Sequence, residues 1–272
     1  MKSWFWYDGD LIQSGKIALS IEEPGLLYGA TVFTTLRVYR QSLDHTLTNW
    51  VGHCDRLHHT LTQLGWQHPD WSRVRQGAEA LTEHFPVLRI TLFPDGREWI
   101  TGRALPTDLP TRQQHGVMAW LAELAPSQSL QRSLSGHKTG NYLVPWLALQ
   151  KAQQQGAKEA IFIDTQGTWL ETSTGNLWGW QDDCWWTPPL TAGILPGLGR
   201  SQLVNWLKSQ DQPLQQLPWT SEIGMGFEAI AYTNSVVEIV PIHTVLQSGK
   251  KIRYDPNHNS FNLLKQFFEQ LR

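Results

Sequence analysis

Residues 135–150 read S-G-H-K-T-G-N-Y-L-V-P-W-L-A-L-Q. One lysine, Lys138, stands in a short, polar, glycine-flanked segment directly before an apolar run with helical spacing. The run predicts a helix over residues 142–155, with Pro145 tolerated only in its first turn and Gly156 as its stop. An amine that must form an imine needs a place to lose its proton. A buried edge beside a helix start provides one, because desolvation and the positive helix end both disfavour the ammonium form. The same residues also suit a solvated surface lysine, so the rest of the chain has to decide.

Downstream of that helix the pattern is rich in strands. Residues 159–164, 168–171, 175–180 and 184–187 read as short β segments, with further strands at 227–232 and 236–242. A helix beginning near Arg200 and an amphipathic helix over 261–271 complete this half. Upstream, Asp8-Gly9 between two short apolar runs is a hairpin signal. Residues 29–39 alternate as a strand, with Val32, Thr34, Leu36 and Val38 on one face and Phe33, Thr35, Arg37 and Tyr39 on the other. Val51, Cys54, Leu57, Leu61 and Leu64 recur at helical spacing and stop at Gly65. A second helix is expected over 71–85 and a strand over 87–93. The aperiodic, proline-bearing stretch 103–114 reads as a linker. The expected organisation is therefore a small N-terminal α+β domain (1–102), a linker (103–114) and a larger C-terminal domain (115–272).

Composition narrows the partners. The net charge is −2, from 24 acidic and 22 basic residues with no run of either sign, which gives no footprint for nucleic acid or an anionic membrane. A small molecule is the default partner. No stretch reaches membrane-spanning length and residues 1–16 lack a signal-peptide core, so a cytoplasmic protein is expected. Cys54 and Cys184 are too far apart in sequence to suggest a C-x-x-C site and read as reduced, packed thiols. Fifteen tryptophans are many for this length. Their alternation within strand segments favours packing over a stacking platform for sugars or bases. His53, His58 and His59 lie on one helix without an H-E-x-x-H or Cys/His pattern, so no metal site is expected.

Three further stretches could surround the lysine. L-T-A-G-I-L-P-G-L-G-R (190–200) is a glycine-rich loop entering a helix, suited either to an anion or to a plain turn. L-E-T-S-T-G-N-L-W (170–178) sets Glu171 and Asn176 between two strands, where a buried carboxylate would need a cationic partner. Thr233-Asn234-Ser235 offers three hydrogen-bonding side chains, and Arg56 a planar fork for phosphate or carboxylate.

Six stretches together carry a resemblance: Y-G-A-T-V-F-T-T-L-R-V-Y (28–39), H-C-D-R-L (53–57), K-T-G-N-Y-L (138–143), L-E-T-S-T-G-N-L (170–177), T-P-P-L-T-A-G-I-L-P-G-L-G-R (187–200) and T-N-S-V-V-E-I-V-P-I (233–242). In this order they resemble the fold-type IV pyridoxal-phosphate enzymes of the class IV aminotransferase family. That group includes branched-chain and D-amino-acid aminotransferases and 4-amino-4-deoxychorismate lyase. The resemblance implies an α+β, two-domain enzyme with a β-rich pseudo-barrel in the C-terminal lobe, working as a homodimer with pyridoxal 5'-phosphate. It implies that Lys138 attaches the cofactor and moves protons, and that Glu171 meets the pyridine nitrogen. Arg56, the backbone amides of Leu198 and Gly199, and Asn234 would hold the phosphate, with Leu195 against the ring.

Within the family, F-T-T-L-R-V (33–38), with Thr35, and T-N-S (233–235) look like the lyase. That would make the reaction the release of 4-aminobenzoate and pyruvate for folate biosynthesis, with Thr35 assisting proton delivery. Tyr28 to Thr31 and Gly140 to Tyr142 look closer to the branched-chain aminotransferases, which keeps an aminotransferase for branched-chain or D-amino acids as the alternative.

Overall fold

The computed structural model describes residues 4–122 and 134–272. Contacts divide the chain into two units, and the segment His137–Tyr142 belongs to the first. That unit otherwise runs to Pro106 and takes in Leu271–Arg272, while the second holds Thr107–Gly136 and Leu143–Gln270.

In the first unit, β1 (Phe5–Tyr7) and β2 (Asp10–Ile12) form the expected hairpin. Asp8 and Gly9 both adopt positive φ, as a tight two-residue turn requires. A short helix, α1 (Pro24–Leu27), precedes β3 (Val32–Arg37). Then follow α2 (Trp50–Leu64), α3 (Trp71–Thr82), β4 (Val87–Leu92) and β5 (Glu98–Arg103). The strands form an antiparallel sheet in the order β2-β1-β5-β4-β3. Helices α2 and α3 bury Leu57, Leu61, Val74, Ala78 and Leu81 against Leu36, Leu88, Ile90 and Ile100 of this sheet.

The buried face of α2 follows its apolar spacing at Leu57 and Leu61, with Cys54 and Leu64 packed against the core, and departs from it at Val51. Val51 is 68% exposed, whereas His53 and Thr60 are buried beside Trp50, Leu57 and Leu61. The two polar residues tolerate burial because each is hydrogen-bonded, His53 to Thr34 and Thr60 to the carbonyl of Arg56.

The stretch expected as a linker is structured. Arg103 ends β5, and Leu109–His115 forms α4, with Pro110 in the first turn where a helix needs no N–H donor.

The second unit continues with β6 (Val117–Leu121), α5 (Leu143–Gln154), β7 (Glu159–Ile163), β8 (Trp169–Thr172) and β9 (Asn176–Gln181). After β10 (Cys184–Trp186), a 3-10 turn (Leu190–Ala192) leads into α6 (Leu198–Ser209), β11 (Leu214–Gln215) and α7 (Ser221–Gly226). The chain ends with β12 (Ala229–Asn234), β13 (Glu238–Gln247), β14 (Lys250–Arg253) and α8 (Ser260–Leu271). Strands β9, β12, β13, β6, β7 and β8 pair in that order, and β8 returns to β9 through Glu171 and Asn176. That last pairing closes a six-stranded barrel, the pseudo-barrel expected of an α+β enzyme of this kind. Strand β13 runs past the expected end at Ile242 because a register shift between Ile242 and Thr244 lets it continue beside β6. Trp178 and Trp185 are fully buried and meet edge to face, so these two serve packing. No helix among the described residues is long and apolar enough to cross a membrane.

Candidate active site

Lys138 is held by β3. Its carbonyl accepts the N–H of Phe33 at 2.8 Å, Thr139 bridges to Val32, and Gly140 donates to the carbonyl of Thr31 at 2.6 Å. The approach needs a glycine at 140, since a Cβ there would lie 2.1 Å from Thr31 Oγ1. The Lys138 ammonium lies 4.9 Å from the ring centre of Phe33 and 5.2 Å from that of Tyr142. Alternation along β3 puts Thr35 on the same strand face as Phe33. This is the polar-and-aromatic face that the sequence distinguished.

Directly across β4 from Thr35 is Arg89, whose guanidinium lies 3.6 Å from the Phe33 ring centre. Burial and neighbouring Arg103 push its pKa down, with Tyr142 opposing. Arg89 was not singled out by the sequence. The signal was present as one cation inside the apolar strand V-L-R-I-T-L-F, at the register position facing Thr35.

Arg56 lies on the other side of β3, where Thr34 points into the unit. Its Nη2 donates to Thr34 Oγ1 at 2.6 Å. Its Nε is buried without a hydrogen-bond partner. Burial lowers the Arg56 pKa to about 10. A buried, orphaned guanidinium N–H is what a phosphate oxygen would satisfy, so Arg56 fits the expected role.

In the second unit Glu171, near the end of β8, is buried, and its Oε2 accepts the N–H of Leu195 at 3.1 Å and the Asn176 amide at 3.4 Å. Asn176 also donates to the Leu195 carbonyl at 2.9 Å. The loop before α6 is thereby tied to the carboxylate. One backbone N–H and one side-chain amide hold Glu171 ready to face a cation.

Gly197 caps α6 without a side-chain acceptor, which leaves the first N–H groups, those of Leu198 and Gly199 included, in the open geometry of a helix start. Arg200 fixes this turn from beneath, donating to Thr187 Oγ1 at 3.1 Å and to the Pro188 carbonyl at 3.0 Å. Gly199 backs onto Asn234, whose carbonyl carbon would lie 3.7 Å from a Cβ at 199. The side chain of Asn234 is committed to its own turn: Oδ1 accepts the N–H groups of Val236 and Val237, and Nδ2 donates to the Thr174 carbonyl. What Asn234 can offer an anion is therefore its backbone rather than its amide.

Within the second unit, then, Glu171, Leu195, Leu198, Gly199 and Asn234 form one continuous cluster. Within the first, Lys138 and Thr35 are linked to the Phe33 face, while Arg56 is reached through Thr34. Beneath the β8–β9 turn lies a second carboxylate that the sequence reading passed over. Glu159 is fully buried, accepts hydroxyls from Ser173 and Thr174 at 2.6 Å each, and is pushed towards its neutral form by desolvation. It shapes the turn that separates Glu171 from Asn176.

The first unit thus carries a lysine beside two aromatic rings and an arginine with a buried, unpartnered N–H, and the second carries a buried carboxylate and an open helix start. The family model for class IV aminotransferases matches residues 31–245. The chain belongs to that family, whose enzymes work with pyridoxal 5'-phosphate. Among curated relatives, it is 25% identical to the aminodeoxychorismate lyase of Vibrio harveyi, over 92% of this chain and 94% of that one. It is 26% identical to a branched-chain-amino-acid aminotransferase of Pseudomonas aeruginosa, over 91% and 85%. A hypothetical aminotransferase of Mycobacterium tuberculosis in its PLP-bound form superposes with a TM-score of 0.83 at 21% identity, covering 99% of this chain and all of that one.

Proposed function

We propose that this protein is a 4-amino-4-deoxychorismate lyase that uses pyridoxal 5'-phosphate to release 4-aminobenzoate and pyruvate. The observation that carries the reading is the location of Thr35, a hydroxyl on the strand face whose Phe33 ring lies under the Lys138 amine. Bound pyridoxal phosphate supplies an electron sink for the pair released when a C–H bond of the attached substrate breaks. Lys138 accepts the proton from the amine-bearing ring carbon, and Thr35 delivers a proton on the side where the enolpyruvyl group leaves. Loss of that group leaves an aromatic ring, so no oxidant is needed. By the family resemblance Glu171 would keep the ring nitrogen protonated, and Arg56 and the first N–H groups of α6 would hold the phosphate. Arg89, opposite Thr35, adds a cation for a substrate that carries two carboxylates. The enzyme works as a homodimer in this reading.

One observation favours a branched-chain aminotransferase instead. The two segments that look most like those enzymes, Tyr28 to Thr31 and Gly140 to Tyr142, are built against each other through the hydrogen bond between Gly140 and Thr31. Purified enzyme loaded with cofactor is to be assayed side by side for 4-aminobenzoate and pyruvate from 4-amino-4-deoxychorismate, and for amino transfer from leucine to 2-oxoglutarate. The lyase reading expects the first reaction to dominate and Thr35→Val to abolish most of it. Failure to form 4-aminobenzoate, with rapid amino transfer, would replace it by the second.

A further inference from the structure

We infer that Thr34 and His53 are positioning residues for Arg56, forming a buried hydroxyl relay that leaves one guanidinium N–H directed at an anionic ligand. The relay follows from proton counting. A guanidinium only donates, so where Arg56 Nη2 meets Thr34 Oγ1 at 2.6 Å the threonine oxygen is the acceptor. The single proton of that hydroxyl is then free for its other close partner, His53 Nδ1, at 2.5 Å. His53 Nδ1 must therefore carry no proton, which makes the ring neutral with its hydrogen on Nε2. Its surroundings enforce this state. His53 is 1% exposed, and burial together with the charges of Arg56 and Lys138 holds its pKa well below the ordinary range.

The direction of the relay is thus fixed, from arginine to threonine to histidine, and the Arg56 head group cannot turn without breaking it. Its Nε remains buried and unpartnered. An unsatisfied buried donor is costly, and a relay that holds it in place is explicable if an acceptor arrives with a ligand. The same relay explains why α2 buries His53 rather than Val51.

The inference rests on Arg56 meeting the phosphate of the cofactor, and the experiment separates the two. Apoenzyme is titrated with pyridoxal 5'-phosphate and with pyridoxal, which lacks the phosphate, and binding is read from quenching of tryptophan fluorescence. Thr34→Val removes the hydroxyl at nearly constant shape, Thr34→Ser keeps it, and Arg56→Gln is the reference. Thr34→Val is expected to weaken pyridoxal 5'-phosphate by about tenfold and pyridoxal hardly at all, a loss on the scale of one charge-assisted hydrogen bond. Thr34→Ser is expected to retain the preference for the phosphorylated form. Should Thr34→Val fold poorly, the pair His53→Asn, which keeps an acceptor at the Nδ1 position, and His53→Leu, which removes it, makes the same comparison. A preference that survives Thr34→Val, or is equal in His53→Asn and His53→Leu, while Arg56→Gln has lost it, overturns the relay. If Arg56→Gln itself keeps the preference, Arg56 does not hold the phosphate and the relay falls with it.

Discussion

Gly197 backs directly onto Asn176: a Cβ at position 197 would lie 1.9 Å from the Asn176 side-chain oxygen. The clash is not with a flexible end. Asn176 is buried, and its amide reaches both the Leu195 carbonyl and Glu171. Gly197→Ala is therefore expected to push Asn176 off these partners and to loosen the loop that carries Leu195. The cost should be about 2 kcal/mol, in the range of overpacking a well-filled site. A urea unfolding curve reads the loss of stability. Cofactor affinity should fall with it, because Gly197 also caps the α6 start. An alanine variant with unchanged midpoint and affinity would show that the loop has room this geometry denies it.

Glu171 has a role that charge alone decides. Glu171→Gln keeps an oxygen to accept the Leu195 N–H, so the loop should hold its shape. What is lost is the negative charge that favours a protonated partner. The variant is expected to fold with wild-type stability and to bind pyridoxal 5'-phosphate, yet to turn over about a hundredfold more slowly. Borohydride trapping of cofactor on Lys138 checks binding independently of turnover. Retained activity in a variant that still traps cofactor would remove Glu171 from the chemistry.

These two residues also show what a sequence can and cannot carry. Glu171, Gly197 and Lys138 stand in short motifs that are each ambiguous and gain meaning only from their common order, while the strand alternation around Thr35 is plain in the letters. The run of short strands after Gly156 marked a β-rich half, and its closure into a barrel came only from the family resemblance. Arg89 was hidden because its importance depends on register: only pairing β3 with β4 sets it opposite Thr35. The burial of His53 was hidden because apolar spacing selects Val51, whereas His53 is drawn in by its hydrogen bond to Thr34 on β3. Strand β5 was missed because Gly102 and Arg103 interrupt its alternation, and α4 because Pro110 reads as a breaker although it lies in a first turn. Long-range pairing decides these cases, and local pattern does not record it.

The neutrality of His53 predicts a pH dependence of stability. Its folded pKa lies below the ordinary value of 6.5, so the unfolded chain binds the proton more readily. Its contribution is complete above about 6.5 and declines as pH falls from there towards the folded pKa, by up to about 1.4 kcal/mol per pH unit. The charges of Arg56 and Lys138 act in this direction. Comparing unfolding midpoints between pH 5 and 8 should give a shallower acid decline in His53→Asn than in the wild type. Equal slopes would mean that His53 takes up protons alike in the folded and unfolded chains, and its neutrality in the fold would fall.

Glu98 is the residue on which the first unit's hairpin turns. It is fully buried on β5 and accepts the Trp6 indole N–H at 2.8 Å, the Gly9 N–H at 2.9 Å, and the Arg73 guanidinium through Nε at 3.0 Å and Nη2 at 2.7 Å. One carboxylate thus ties β1, the tight turn, β5 and α3. Removing it strands three donor groups at once, of which Arg73 has a second partner in Asp8 and the Trp6 indole lies buried. Glu98→Ala should cost about 3–5 kcal/mol, as for breaking one side of a buried ion pair. Glu98→Gln keeps an acceptor for the indole and should cost less. The loss belongs to folding rather than chemistry, so at low temperature, where the variants remain folded, cofactor affinity should match the wild type. A Glu98→Ala protein with an unchanged unfolding midpoint would show that the hairpin is held by its strand pairing alone.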